Sequence, residues 1–190
     1  HPAMRFAAPA RKELATATVF NILGPLANPA RPQAAAIGVA NERMHPVMAQ
    51  VLSDRGVEGF VFRGDDGLDE ITLATSTSVL SIGKGEITSD RIDAKDFGLT
   101  NAPIEALVGG DAAENARITK AIFSGEKGAP RDAVLLNAAA AIAAFDGEKG
   151  LGIHERLNKS LRKAATAVDS GAATSLLEKW ALLTQEIVSI

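Results

Sequence analysis

The spacing of apolar positions changes several times along the chain, and each change predicts an element. Val57-Glu58-Gly59-Phe60-Val61-Phe62 alternates well enough to predict a buried strand. Ahead of it, Asn41 can cap a helix running to about Arg55, with Met44, Val47, Met48, Val51 and Leu52 as its inner face. Pro46 lies in its first turns, where a missing N–H costs least, and Gly56 closes it. The short apolar run Ala34-Ala35-Ala36-Ile37-Gly38-Val39 predicts a strand before that helix. Strand, helix, strand over this length is a βαβ unit with a right-handed crossover.

Upstream, residues 1–10 carry Pro2 and Pro9 and read as a loop or broken turn. From Arg11 to about Leu23 the period is helical, with Leu14, Thr18, Val19, Ile22 and Leu23 on one side, and Gly24-Pro25 stops it. Pro29 and Pro32 make the next connection rigid. Downstream, Thr77–Ile82 and Glu86–Thr88 flank Gly83-Lys84-Gly85 as a β-hairpin. Residues 91–110 are irregular, and Asp111, with Glu114 three places on, opens a helix to about Phe123. Arg131 to Phe145 is apolar nearly all round and predicts the central buried helix. Two amphipathic helices follow, about Ile153 to Val168 and Ala172 to Ile187, joined at Ser170-Gly171. The pattern predicts one α/β domain over residues 1–190, a central mixed sheet flanked by helices with a helical C-terminal end.

The 190 residues suffice for one domain with a sizeable core, and 46% hydrophobic with 23% charged residues is the balance of a folded globular protein. A net charge of −3 offers no electrostatic footprint for nucleic acid and no basic face for a membrane. The absence of cysteine excludes disulfides and thiolate metal sites. No apolar run reaches the roughly 18 residues a bilayer span needs, and no signal peptide is visible, so the cytoplasm is the expected compartment. The chain opens on His1-Pro2-Ala3-Met4, which reads like the interior of a motif and suggests the C-terminal part of a longer protein.

Three places could carry chemistry. The first is the loop Arg63-Gly64-Asp65-Asp66-Gly67-Leu68-Asp69-Glu70-Ile71, which follows the 57–62 strand. Ligands of open α/β sheets collect beyond the carboxyl ends of strands. Adjacent carboxylates there suit Mg²⁺, which keeps its waters and grips a substrate phosphate; a solvated acidic turn is the alternative. Asp69 and Glu70 are the first candidates and Asp65 and Asp66 their competitors. In an extended segment Asp69 and Glu70 would face opposite sides. The second place is Arg11, at the start of the 11–23 helix, where a cation opposes the dipole by about 0.3–1 kcal/mol. A planar fork that grips a carboxylate gives it a reason to be there, as does pairing with Glu13. The third is Gly24-Pro25, either a helix stop or a flat apolar wall that a planar ligand can approach closely. His45 and His154 read as surface residues, and no Ser/His/Asp arrangement, P-loop or Rossmann fingerprint occurs.

Taken together, these segments resemble the anthranilate phosphoribosyltransferases, among the nucleoside phosphorylase-like phosphoribosyltransferases. The resemblance lies in His1-Pro2-Ala3-Met4-Arg5, Phe20-Asn21-Ile22-Leu23-Gly24-Pro25-Leu26-Ala27-Asn28-Pro29, Gly67-Leu68-Asp69-Glu70, Gly109-Gly110-Asp111-Ala112-Ala113-Glu114-Asn115-Ala116 and Arg131-Asp132-Ala133-Val134-Leu135-Leu136-Asn137-Ala138-Ala139. It covers residues 1 to about 140, and Gly-Pro-Leu-x-Asn-Pro is its most specific part.

The resemblance implies transfer of phosphoribosyl from phosphoribosyl pyrophosphate to the anthranilate amine, with release of pyrophosphate, in tryptophan biosynthesis. It puts Asp69 and Glu70 on the acidic pair that holds Mg²⁺ and Arg11 on the arginine that contacts the anthranilate carboxylate. His1, Gly24 and Pro25 fall on positions lining the aromatic substrate's route, and the whole enzyme is expected to be a homodimer. The implied catalysis is electrostatic and positional, without a covalent intermediate, and no general base is identified. The family's glycine-rich phosphate loop and N-terminal helices have no counterpart in this sequence, so these residues alone are expected to be inactive. The alternatives are a pyrimidine nucleoside phosphorylase, a nucleic-acid-binding homologue, which the charge argues against, and a noncatalytic binding or assembly domain.

Overall fold

The computed structural model describes residues 2–16, 18–83, 85–148 and 150–188. A mixed sheet of four strands runs in the order β1 (Ala34–Gly38), β2 (Glu58–Gly64), β3 (Thr77–Gly83), β4 (Glu86–Ile92). β1 and β2 are parallel, with Ala36 opposite Phe60, and the helix α3 (Met44–Asp54) connects them. β2, β3 and β4 then pair antiparallel, the last two as the expected hairpin.

Alternation along β2 divides the core. Phe60 and Phe62 face one side, where they meet Leu136, Ala140, Ala143 and Ala144 of α5 (Ala129–Asp146) and Leu157 of α6 (Ile153–Asp169). Val61 faces the other, against Met48, Ala49 and Leu52 of α3. Full burial of side chains such as Phe60, Leu136 and Leu157 is worth about 1.5–3 kcal/mol each. Alanines on α5 let it lie close to β1 and β2, and the guanidinium of Arg156 rests over Phe60, 4.5 Å from the ring centre. Arg156 also donates to the Ala143 carbonyl. Burial lowers its pKa from the usual arginine value.

Several expectations are corrected. The 11–23 segment is not one helix. A 3₁₀ turn (Pro2–Ala7) leads into α1 (Ala8–Leu14), which Ala15 ends in the left-handed conformation at φ 48°. Pro9 sits in the first turn of α1, so the stretch expected as a loop is helical from Pro2 onward. Thr18 and Asn21 then form a reciprocal capping box around a second 3₁₀ turn (Val19–Asn21). Gly24-Pro25 lies inside the four-residue α2 (Leu23–Leu26) rather than ending a helix, because proline in a first turn forfeits no intrahelical bond.

Helix α3 is rotated from its expected face: His45, Met48, Ala49, Leu52 and Ser53 are buried, while Val47 is exposed. His45 is thus a core residue rather than a surface one, its Nε2 3.0 Å from the Val61 carbonyl. Helix α5 is also not buried on every side, since Val134 and Phe145 face outward. Asn41 accepts from the Arg43 and Met44 N–H groups in the turn that leads into α3, whose N-cap position is Arg43. The cap at Asp111 is as expected, its side chain accepting from the Glu114 N–H at the start of α4 (Ala112–Phe123). The last helix, α7 (Ala172–Val188), exposes Leu176, Trp180, Leu182, Leu183 and Ile187. Among the described residues no helix is long and apolar enough to cross a membrane.

Candidate functional site

The acidic loop leaves the carboxyl end of β2 beside the carboxyl end of its parallel neighbour β1. It is built by competition among its own acids. Asp66 is taken up internally: one carboxylate oxygen accepts from the Leu68 N–H and the other, at 2.7 Å, from the Thr72 hydroxyl. Asp65 pairs with Arg91 of β4 and receives the Ser78 hydroxyl. Gly64 N–H to Leu68 O and Gly67 N–H to Gly64 O close the turn.

That leaves Asp69 and Glu70, both exposed, and among the described residues neither carboxylate has a hydrogen bond or ion pair. The backbone bends at both residues, so the opposite-face alternation expected of an extended segment does not apply. The loop is nevertheless fixed. The Asp69 peptide lies against β1 so closely that a Cβ on Gly38 would sit 1.6 Å from the Asp69 carbonyl oxygen. Ile71, which follows Glu70, is 3% exposed. Its N–H donates to Asn137 Oδ1 at 2.9 Å, and its carbonyl accepts from Asn137 Nδ2 at 3.0 Å.

The donor set decides what cation could fit. Among the described residues no group of three or more histidine or acidic side chains could hold a metal ion, which argues against an all-protein cage. Two neighbouring free carboxylates suit Mg²⁺, whose remaining ligands are waters and substrate phosphate oxygens. The residues fit a cation shared with a phosphorylated substrate.

Arg11 is not at a helix start. It lies in the last turn of α1, where a cation is favoured by the helix dipole, so the electrostatic oddity inferred from sequence disappears. Its guanidinium is 5.8 Å from the centre of the Phe20 ring. Among the described residues no hydrogen bond or ion pair joins its side chain to the acidic loop or to Glu13. Gly24 and Pro25 are exposed on α2, whose neighbours Ile22 and Leu26 pack on the α3 side of the sheet. The Arg55 side chain, at the end of α3, donates to the Leu26 carbonyl and ties α2 in place. His1 lies outside the described residues. His154 stacks on Phe97 and contacts Asp96, consistent with a surface position.

The described fold does not require a glycine at Gly24. An added Cβ would meet no atom within 4 Å. Glycine inside a helix costs about 0.8–1 kcal/mol relative to alanine. Gly24→Ala is expected to leave thermal stability unchanged or slightly raised, by up to about 1 kcal/mol, which a melting curve checks.

Asn137 is the residue that sequence reasoning missed. It sits in one of the distinctive motifs, yet only the structure joins it to the acidic loop. Asn115, in another, bonds both the N–H and the carbonyl of Gly110 and so shapes the turn before α4.

Residues 1–174 match the family described as "Glycosyl transferase family, a/b domain". The chain is 50% identical over 185 residues to an anthranilate phosphoribosyltransferase of Arthrobacter sp. (strain FB24), covering 97% of this chain and 53% of that protein. The crystal structure of anthranilate phosphoribosyltransferase from Thermus thermophilus superposes with a TM-score of 0.83 at 39% identity, covering 95% of this chain and 52% of that one. The enzyme of the same name from Saccharomyces cerevisiae, in complex with phosphoribosyl pyrophosphate and Mg, gives 0.83 at 28% identity over 94% of this chain and 50% of that one. The chain spans about half the length of the relatives it matches.

Proposed function

Because the chain belongs to the glycosyl transferase family, in its a/b domain, we propose that it is the α/β part of an anthranilate phosphoribosyltransferase. That enzyme transfers phosphoribosyl from phosphoribosyl pyrophosphate to the anthranilate amine in tryptophan biosynthesis. In this reading residues 1–190 form one α/β domain of a cytoplasmic, homodimeric enzyme. What carries the reading is one arrangement in a chain whose likeness to those enzymes runs nearly end to end. Two carboxylates without a partner among the described residues, Asp69 and Glu70, are held on an anchored loop beyond the ends of two parallel strands. The Saccharomyces cerevisiae anthranilate phosphoribosyltransferase has been solved with Mg bound, which supports the cation assignment.

Asp69 and Glu70 would hold Mg²⁺, and α1 and α2 would supply Arg11, Gly24 and Pro25 to the anthranilate, with His1 on its route. When bound, Mg²⁺ supplies charge neutralisation for the pyrophosphate oxygens. The chain's own part is positional. The fixed loop presents two carboxylates without reorganisation at the moment of reaction. The Arg11 fork orients the anthranilate carboxylate, and exposed Gly24-Pro25 offers a flat surface to its ring.

The activity is tested by measuring pyrophosphate release from phosphoribosyl pyrophosphate, dependent on both anthranilate and Mg²⁺, in a protein carrying this chain at the full length of its relatives. Release that ignores anthranilate but responds to another amine or nucleobase would overturn the substrate assignment. In the same assay Arg11→Ala is expected to raise the Michaelis constant for anthranilate far more than that for phosphoribosyl pyrophosphate. A lost charge-assisted contact is worth roughly 1.5–3 kcal/mol, or about 10- to 150-fold. Arg11→Lys should recover only part, since an ammonium lacks the two-pronged geometry. Equal effects on both substrates would count against the contact.

A further inference from the structure

We propose that Asn137 is a positioning residue for the cation site: from helix α5 it holds the acidic loop so that Asp69 and Glu70 are set for metal before any metal arrives. The inference rests on the reading of Asp69 and Glu70 as the Mg²⁺ carboxylates and adds to it a residue that touches neither cation nor substrate.

A primary amide can accept and donate at once, and Asn137 does both. Its Oδ1 accepts the Ile71 N–H at 2.9 Å, while Nδ2 donates to the Ile71 carbonyl at 3.0 Å and to the Ala133 carbonyl at 3.0 Å. Only one orientation of the carboxamide satisfies all three, because a flipped amide would set N–H against N–H and oxygen against two carbonyls. The bond to Ala133, one turn back on α5, fixes the side chain to its own helix. The pair at Ile71 therefore transmits the position of α5 to the residue next to Glu70.

The helix is a rigid reference, since the adjacent Leu136 and nearby Ala140 are buried in the core against the sheet. Ahead of the bend the loop is held by the Gly64 and Asp66 bonds, and beneath Asp69 by Gly38; past Ile71, the Thr72 N–H donates to the Thr77 hydroxyl and the Thr72 hydroxyl to Asp66. Without Asn137 the residue next to Glu70 would lose its two backbone hydrogen bonds to α5, and Thr72 would be the nearest hydrogen-bonded anchor on that side. Core packing alone gives no reason for an amide here, because Asn137 interrupts an otherwise apolar stretch from Val134 to Ala144. Partners that orient metal ligands typically control about 10- to 100-fold of metal affinity or activity.

The test uses the protein carrying this chain at the full length of its relatives, with Asn137→Ala, Asn137→Asp and the double variant Asp69→Asn with Glu70→Gln. Asn137→Asp keeps the shape and the acceptor for the Ile71 N–H but sets its second oxygen against the Ile71 and Ala133 carbonyls, so without opening a cavity it tests the donor half of the contact. Three quantities are read: the Mg²⁺ concentration for half-maximal activity, the Michaelis constant for anthranilate, and Tm. The Asn137 variants are expected to raise the Mg²⁺ requirement about 10- to 100-fold while the Michaelis constant for anthranilate stays within about twofold. If the acidic pair shifts the Mg²⁺ requirement and Asn137 does not, the positioning role is overturned and the cation site survives. If Asn137 variants lower activity and Tm at every Mg²⁺ concentration alike, the residue is structural and the proposal fails. If the acidic pair itself leaves the Mg²⁺ requirement unchanged, the underlying site reading fails, and this inference with it.

Discussion

Replacing Asp69 with Asn together with Glu70 with Gln is expected to cost on the order of 100-fold or more in turnover at fixed, limiting Mg²⁺, above the range typical of outer-shell partners. The two carboxylates are exposed and carry no hydrogen bond or ion pair among the described residues, so the fold has nothing to lose with their charge. Surface changes of this sort fall within about ±0.5 kcal/mol, and Tm should move by no more than about 2 °C. The opposite is expected of their neighbours. Asp66 receives two hydrogen bonds within the loop and Asp65 pairs with Arg91, so changes there would disturb the turn itself. Unchanged activity of the double variant at limiting Mg²⁺ would remove Asp69 and Glu70 from the cation site.

Gly38→Ala is expected to have the second large effect, on stability and metal use together. The added Cβ would fall 1.6 Å from the Asp69 carbonyl oxygen and 2.3 Å from its carbonyl carbon, and backbone cannot swing aside as a side chain can. Either β1 or the acidic loop must shift. Overpacking of this kind costs about 1–3 kcal/mol and occasionally more, which for a chain of this length is a fall in Tm of several degrees. The displaced part includes the peptide that carries Asp69, so the Mg²⁺ requirement should rise with it. Gly83→Ala on β3 is the control, because its Cβ would meet only the Glu58 side chain, at an ordinary 3.9 Å. Equal melting temperatures for the two variants would refute the close approach.

The parts of the fold that are legible in sequence are those where one pattern has no competitor. β2 alternates between two cores, so Phe60 and Val61 announce a strand buried on both faces. Asp111 is an unambiguous cap. The 11–23 segment misleads because helical period alone ignores local alternatives. Ala15 takes a left-handed conformation that its residue type does not advertise, and Thr18 with Asn21 supplies a competing cap. The error carries into chemistry, since one long helix puts Arg11 at the wrong end of its dipole.

His45 shows a second limit. A histidine in a polar-looking turn reads as exposed until a strand carbonyl, here Val61, is found within reach. The acidic pair is legible as residue types on a post-strand loop, but four acids compete, and only the hydrogen bonds of Asp65 and Asp66 separate the structural acids from the free ones. Asn137 leaves a readable trace. A primary amide in an apolar helix must find partners or bear the cost of its desolvation, and that signal predicts a bond without saying to what.

The most direct measurement is calorimetric titration of phosphoribosyl pyrophosphate, with and without Mg²⁺, into the full-length protein and into its Asp69→Asn, Glu70→Gln variant. Mg²⁺ should tighten binding to the unsubstituted protein and have little effect on the variant. The same Mg²⁺-dependent gain in both proteins would contradict the assignment of the cation to Asp69 and Glu70.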